Sequence, residues 1–111
     1  MAIVDVYLQG TNQQNFIMEN NILHNKAESR FELAIEDQVS FIDYLLDNQI
    51  INFTHTWVPT PLEGRGIAAS LAKYALNFAA ENNLQVIPSC VYIRVYIDRH
   101  PEYKLLLYKK P

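Results

Sequence analysis

The sequence predicts an α/β domain with a mixed sheet, and three features carry that expectation. Arg30 to Glu36 alternates apolar and polar residues with period two, the mark of a half-buried strand, and Val39 to Leu46 resumes a β-like run. From Gly66 to about Asn82 the apolar spacing changes to three and four, the period of a helix. Leu84 to Ile87, which follows that helix at once, reads as a short buried strand. Strands come first and helices later, in the order β-β-β-α-β-α-β.

Taken in order, residues 3–8 alternate weakly and read as an edge strand, and the polar stretch from Gln9 to Asn21 has Phe16, Ile17 and Met18 as its sizeable apolar residues. Asp37-Gln38 is a short polar break between these two runs, which read as a hairpin. Asp47-Asn48 makes the next turn, and Ile50 to Val58 forms a third strand. Strict alternation puts Ile51, Phe53, His55 and Trp57 on one face of it, and Asn52, Thr54 and Thr56 on the other. Pro59 and Pro61 then stop sheet pairing, because proline has no N–H to donate.

In the helix, Ile67, Leu71, Ala75, Phe78 and Ala79 share a side, while alanines between them favour helix and permit close packing on a sheet. Asn82-Asn83 supplies a stop, since Asn tolerates the left-handed conformation found there. Ser89 as an N-cap favours a second helix from Cys90 to about Arg99, and Pro101 ends it by restricting His100. Tyr103 to Tyr108 reads as a terminal strand.

Composition narrows the function. The chain has 111 residues, half of them hydrophobic and 12% aromatic, which suits one globular domain with its own core. Nine basic against 12 acidic residues give a net charge of −3, so there is no basic excess to displace the counterions of a nucleic acid. With a single cysteine, Cys90, neither an internal disulfide nor a thiolate metal cluster is available, and no metal site is expected. No cationic leader and no apolar run approaching ~18 residues is visible, so the expected location is the cytoplasm, away from the membrane.

The chemistry concentrates where the third strand meets the main helix. Thr54-His55-Thr56-Trp57-Val58-Pro59 runs into Glu63-Gly64-Arg65-Gly66-Ile67-Ala68, a strand delivered into a glycine turn that opens a helix. Such a turn lets a ligand approach the backbone, and the first-turn N–H groups are unpaired donors at the positive helix end, so this is a candidate phosphate cradle. It is not a Walker A loop, because no Lys-Ser or Lys-Thr pair follows. Gly64-Arg65-Gly66-Ile67-Ala68-Ala69 formally satisfies the dinucleotide fingerprint, but the next strand ends at Ile87-Pro88 without an acidic residue for a ribose, and too few residues remain for the second half of that fold. A coenzyme A pyrophosphate on one compact domain needs neither feature. A plain strand-to-helix turn is the remaining alternative.

Thr54-His55-Thr56-Trp57-Val58-Pro59, Leu62-Glu63-Gly64-Arg65-Gly66-Ile67-Ala68, Pro88-Ser89-Cys90-Val91-Tyr92 and His100-Pro101-Glu102-Tyr103, in this order and spacing, resemble the minimal single-domain members of the GNAT acetyltransferase superfamily. The resemblance spans roughly Ile22 to Tyr108, giving a division into residues 1–21, an N-terminal extension or edge strand, and residues 22–111, the GNAT-like domain. It implies a compact α+β fold with a mixed, mostly antiparallel sheet and two main helices packed on it. The superfamily's Gln/Arg-x-x-Gly-x-Gly/Ala signature falls on Glu63 to Ala68, with Glu63 where Gln or Arg is usual.

The resemblance implies an acetyl-CoA-dependent transfer to an amine, with Trp57, Val58, Gly64, Arg65, Gly66, Ile67, Ala68 and Tyr96 as candidate cofactor-binding residues. The pantetheine arm would lie along the strand ending at Val58, and the pyrophosphate over Arg65 to Ala68. Acyl transfer needs a donor where the oxyanion develops, for which a backbone N–H near Trp57 or Val58 is suited. His55 is the candidate base, because its unperturbed pKa of ~6.5 lies near working pH. Cys90, in the first turn of the second helix, is the candidate nucleophile; small members of the family resemble this pairing of a cysteine with the histidine of a His-Thr-x-Val-Pro motif. Tyr92 and Tyr96 share a helix face, and Tyr92 is favoured as a proton donor to the departing sulfur. The expected partners are acetyl-CoA and an unidentified amine acceptor, with the protein a monomer or weak dimer. The alternatives are a CoA or acyl-CoA binding module without turnover, and an interaction domain using its sheet edge.

Overall fold

A computed structural model describes residues 20–111. The expected edge strand at residues 3–8 and the polar segment that follows it up to residue 19 lie outside the described residues. Five strands form one sheet in the order β1-β2-β3-β4-β5: β1 (Leu23–Asn25), β2 (Arg30–Ile35), β3 (Gln38–Asp47), β4 (Ile50–Trp57) and β5 (Gln85–Pro88). The first four pair antiparallel and β5 joins β4 in parallel. That single parallel step needs a crossover, which α1 (Ile67–Glu81) provides. A second helix, α2 (Val91–Arg99), and two 3₁₀ helices, Thr60–Leu62 and Pro101–Leu106, complete the described chain. The mixed, mostly antiparallel sheet with two main helices is the expected fold.

Local chemistry explains the boundaries. In the β2–β3 hairpin, Ile35 pairs with Gln38, and Glu36 and Asp37 both take positive φ (54° and 64°), the conformation whose twist matches a two-residue hairpin. The turn is thus Glu36-Asp37, one residue earlier than the Asp37-Gln38 break suggested. Helix α1 ends as expected: Asn83 is left-handed (φ 56°), and the Leu84 and Asn83 N–H groups donate to the Ala79 and Ala80 carbonyls at 2.9 and 3.3 Å, a Schellman stop.

The core lies on one face of the sheet. Phe31, Leu33, Ile42, Ile51 and Phe53 from the strands meet Leu71, Ala72, Ala75, Leu76 and Ala79 from α1, with Ile93 and Ile97 from α2, in one buried cluster. Each large apolar side chain so buried contributes roughly 1.5–3 kcal/mol. The small alanines bring α1 close to the strands. The other face carries Arg30, Phe41, Asp43, His55 and Trp57, all half-buried or exposed. There the Arg30 guanidinium lies 3.8 Å above the Phe41 ring and bonds Asp43 at 2.8 Å.

Three expectations change. Leu23–Asn25 is a short strand that alternation did not reveal, because three residues are too few to show a period; register with β2 defines it. The expected terminal strand at 103–108 is instead 3₁₀ helix over Pro101–Leu106. Pro101 opens a turn whose i→i+3 bonds continue from Tyr103 N–H to the His100 carbonyl (3.0 Å) and from Leu107 N–H to the Lys104 carbonyl (3.2 Å). Only an isolated bridge, Val86 with Leu107, touches β5. Finally, β4 does not alternate strictly, and that irregularity builds the site.

Candidate active site

Strand β4 contains a bulge. Asp43 opposes His55 and Tyr44 opposes Phe53, so Thr54 is an extra residue; its hydroxyl donates to the Asp43 carbonyl at 3.4 Å. Before the bulge Ile51 and Phe53 point into the core. After it Thr56, opposite buried Ile42, faces the helices, while His55 and Trp57 face outward with Asp43 and Phe41. The strict alternation expected of this strand therefore fails at one residue, and every side chain beyond it changes face.

The same strand loses its second neighbour at this point. Pairing of β4 with β5 ends at Phe53 and Pro88, since Pro88 has no N–H to continue the ladder. The Cys90 N–H closes it by donating to the Phe53 carbonyl at 2.9 Å. From Thr54 to Trp57 the strand pairs only with β3, and its other edge is open.

Beyond β4 the chain is drawn back to the core. Pro59 is buried, and Leu62, only 1% exposed, anchors the short 3₁₀ turn. Gly64 and Gly66 then take φ of 84° and 79°, and a Cβ at either would meet nothing within 4 Å. Glycine is needed for backbone conformation rather than to avoid a clash, and the space before it is free. Gly66 is the N-cap of α1, with no side chain bonding the helix end and no acidic residue in the first turn. Since the first intrahelical bond runs from Ser70 N–H to the Gly66 carbonyl (3.1 Å), the amides before it are left as donors for an anion.

These elements line an open cavity of about 500 Å³. Its walls are Thr56, Trp57 and Val58 of β4, Leu62, Glu63, Gly64 and Gly66 of the loop, Ile67, Ala68 and Ala69 of α1, and Tyr92 of α2. Most of the candidate cofactor residues meet here. Arg65 and Tyr96 stand apart. The Arg65 guanidinium forks onto Glu36 of the β2–β3 turn at 2.9 and 3.4 Å, and this bond with its charge holds the Glu36 carboxyl below the usual carboxylate range. Tyr96 is buried, stacked on His100 with ring centroids 3.9 Å apart. Tyr92 reaches the cavity, where burial pushes its phenol upward against a smaller opposing effect of Arg99.

Cys90 is the N-cap of α2, one residue earlier than first-turn placement, and Ser89 does not cap the helix. Its Sγ lies 3.2 Å from the Thr56 hydroxyl. The expected pairing of Cys90 with His55 does not form, because the bulge turns His55 to the opposite face of the sheet, toward Asp43 and the Phe41 ring 6.1 Å away. Thr56 stands in its place. No sequence pattern marks that exchange, which needs the strand register to be seen. Arg94 bonds the Pro88 and Ser89 carbonyls at 3.3 and 3.1 Å and holds the turn before α2. Among the described residues no His, Cys, Asp and Glu cluster could hold a metal, and no helix is long and apolar enough to cross a membrane.

Comparison with known proteins gives this arrangement a family. Residues 30–106 match the model of the GCN5-related N-acetyl-transferase family. Protein NATD1 of Gallus gallus is 31% identical over 91 residues, covering 79% of this chain and 83% of that protein. Protein NATD1 of Mus musculus is 32% identical over 81 residues, covering 70% and 74% respectively. Among solved structures, the NMR solution structure of a GCN5-like candidate N-acetyltransferase from Staphylococcus aureus superimposes with a TM-score of 0.63 at 28% identity, over 81% of this chain and 89% of that one. The bulged strand, the glycine turn at the head of α1 and the match over residues 30–106 together place the chain in the GCN5-related N-acetyltransferase family.

Proposed function

We propose that the protein is an acetyl-CoA-dependent N-acetyltransferase acting on an amine, with Cys90 as transient acetyl carrier. The observation that carries this reading is one cavity bounded by an uncapped helix N-terminus, an open strand edge, Thr56 and Tyr92, with the Cys90 sulfur 3.2 Å from the Thr56 hydroxyl. The donor set suits coenzyme A: amides of the α1 first turn for the pyrophosphate, and the unpaired edge of β4 for the amides of the pantetheine arm. Bound acetyl-CoA would supply an activated acetyl thioester.

The remaining chemistry belongs to the chain. Cys90 Sγ, having released its proton to solvent, attacks the acetyl carbonyl carbon; the new C–S bond forms as the old one breaks, and the departing thiolate takes a proton. Tyr92, whose phenol stays protonated at neutral pH, is the proposed donor to that sulfur and regains its proton from solvent. A backbone N–H near Trp57 or Val58 supports the oxyanion. The acceptor amine, entering neutral, then attacks acetyl-Cys90, takes the acetyl group, and restores the thiol as it loses its extra proton. His55 has no part in this sequence, since it faces away from the cavity.

That same absence of a histidine beside Cys90 favours a second reading, a CoA-binding module without turnover. Titration calorimetry with acetyl-CoA, followed by intact mass after incubation, separates them. Binding together with a gain of one acetyl group that is lost in Cys90→Ser is the expected result. Binding without acetylation or transfer to amines leaves the module. No binding to the wild type removes both.

A further inference from the structure

The geometry points to Thr56 as a positioning residue that fixes the Cys90 sulfur beside the cavity that Thr56 lines, an inference resting on the proposed role of Cys90 as acetyl carrier. The backbone of Cys90 is held at both polar groups. Its N–H donates to the Phe53 carbonyl at 2.9 Å, and its carbonyl accepts the Arg94 N–H at 3.1 Å. Arg94 reinforces this with side-chain bonds to the two preceding carbonyls, of Pro88 and Ser89. With the main chain pinned, the place of the sulfur depends on one torsion, χ1.

The Thr56 hydroxyl, 3.2 Å from Sγ, selects that torsion. Thr56 is itself stiff, because a β-branched side chain in a strand has restricted χ1, and it lines the cavity in the stretch of β4 beyond the bulge. Either atom can donate in the resting pair. Once the sulfur carries negative charge only the hydroxyl has a proton to offer, so the bond strengthens as the nucleophile forms. Thr56 keeps its own proton throughout. It does not act as the base, and the thiol proton goes to solvent.

Because the chain has a single cysteine, the inference can be tested without the cofactor. The neutral probe iodoacetamide is allowed to alkylate the free protein at fixed pH, and the rate is read by intact mass in wild type, Thr56→Val and Thr56→Ser. Valine keeps the shape and removes the hydroxyl; serine keeps the hydroxyl. Losing one such bond should slow alkylation in Thr56→Val roughly fivefold, with Thr56→Ser near the wild-type rate. If Thr56→Val folds poorly by circular dichroism, Thr56→Ala should show the same slowing. A wild-type or faster rate in the variants lacking the hydroxyl, or a serine variant as slow as valine, overturns the inference. In a second arm with acetyl-CoA, acetylation of Cys90 should slow in Thr56→Val while calorimetric affinity holds; equal acetylation rates would also overturn it. A wild type that alkylates as described but is never acetylated removes the acetyl-carrier reading and leaves the aiming of the thiol supported.

Discussion

The two halves of strand β4 do different work. From Ile50 to Phe53 the strand lies between β3 and β5, and Ile51 and Phe53 are fully buried. From Thr54 to Trp57 it has one neighbour and an open edge; His55 is exposed and Trp57 is 48% exposed. The regular half satisfies every local rule and supplies stability. The bulged half breaks the alternation and the pairing together, and the cavity lies there. A single inserted residue separates the segment that builds the core from the one that lines the cavity in the same strand.

The contrast predicts a large stability effect on the regular side. Phe53→Ala should destabilise the fold by about 3–5 kcal/mol in denaturant titrations, because a fully buried ring leaves a cavity that the sheet cannot close. A much smaller loss would mean that the first half of β4 is not the structural half.

Deleting Thr54 tests the other side. Without it, Phe53, His55 and Thr56 would alternate regularly and β3 and β4 would pair without interruption. The protein should still unfold cooperatively, yet lose measurable acetyl-CoA binding by calorimetry. Retained binding would show that the bulge does not shape the cavity.

Tyr92→Phe should leave stability and acetyl-CoA affinity nearly unchanged while lowering the transfer rate on the order of 10²-fold, the scale of a lost proton donor. Since burial raises the Tyr92 phenol, the wild-type rate should show no loss from this group on going from pH 7 to 9. An unchanged rate in the phenylalanine variant would assign the proton to solvent.

The smallest effect concerns the far edge of the core. His24 stacks on Phe31 with centroids 4.3 Å apart and bonds the Tyr44 hydroxyl at 2.7 Å. Burial, with Lys26 as a lesser cause, lowers its pKa. The unfolded chain then takes up the proton more readily, so His24 contributes full stability above about pH 6.5 and loses it progressively as pH falls toward the folded value. The thermal midpoint of wild type should fall over this window more than that of His24→Phe. Parallel curves would show that His24 is not the titrating group.

Much of this was legible in the sequence. The hairpin, the amphipathic face of α1 and its Asn82-Asn83 stop follow from periods and turn chemistry that act within a few residues. Gly64 and Gly66 marked the turn that opens α1, and both take the positive φ that glycine adopts readily. Leu23–Asn25 and the Pro101–Leu106 turn were misread or missed: the first is too short to carry a period, and in the second the preference of Pro101 for a turn outweighed an apolar run.

What the sequence by itself determined, then, are the properties that neighbouring residues impose on one another: which stretches are strand or helix, which side of α1 is apolar, and where the glycine turn opens that helix. What only the tertiary structure decided is the partner of Cys90. His55 and Thr56 are adjacent in the chain, and choosing between them depends on how β4 registers against β3. That register is set by hydrogen bonds across strands and by packing against α1, interactions that no local pattern encodes.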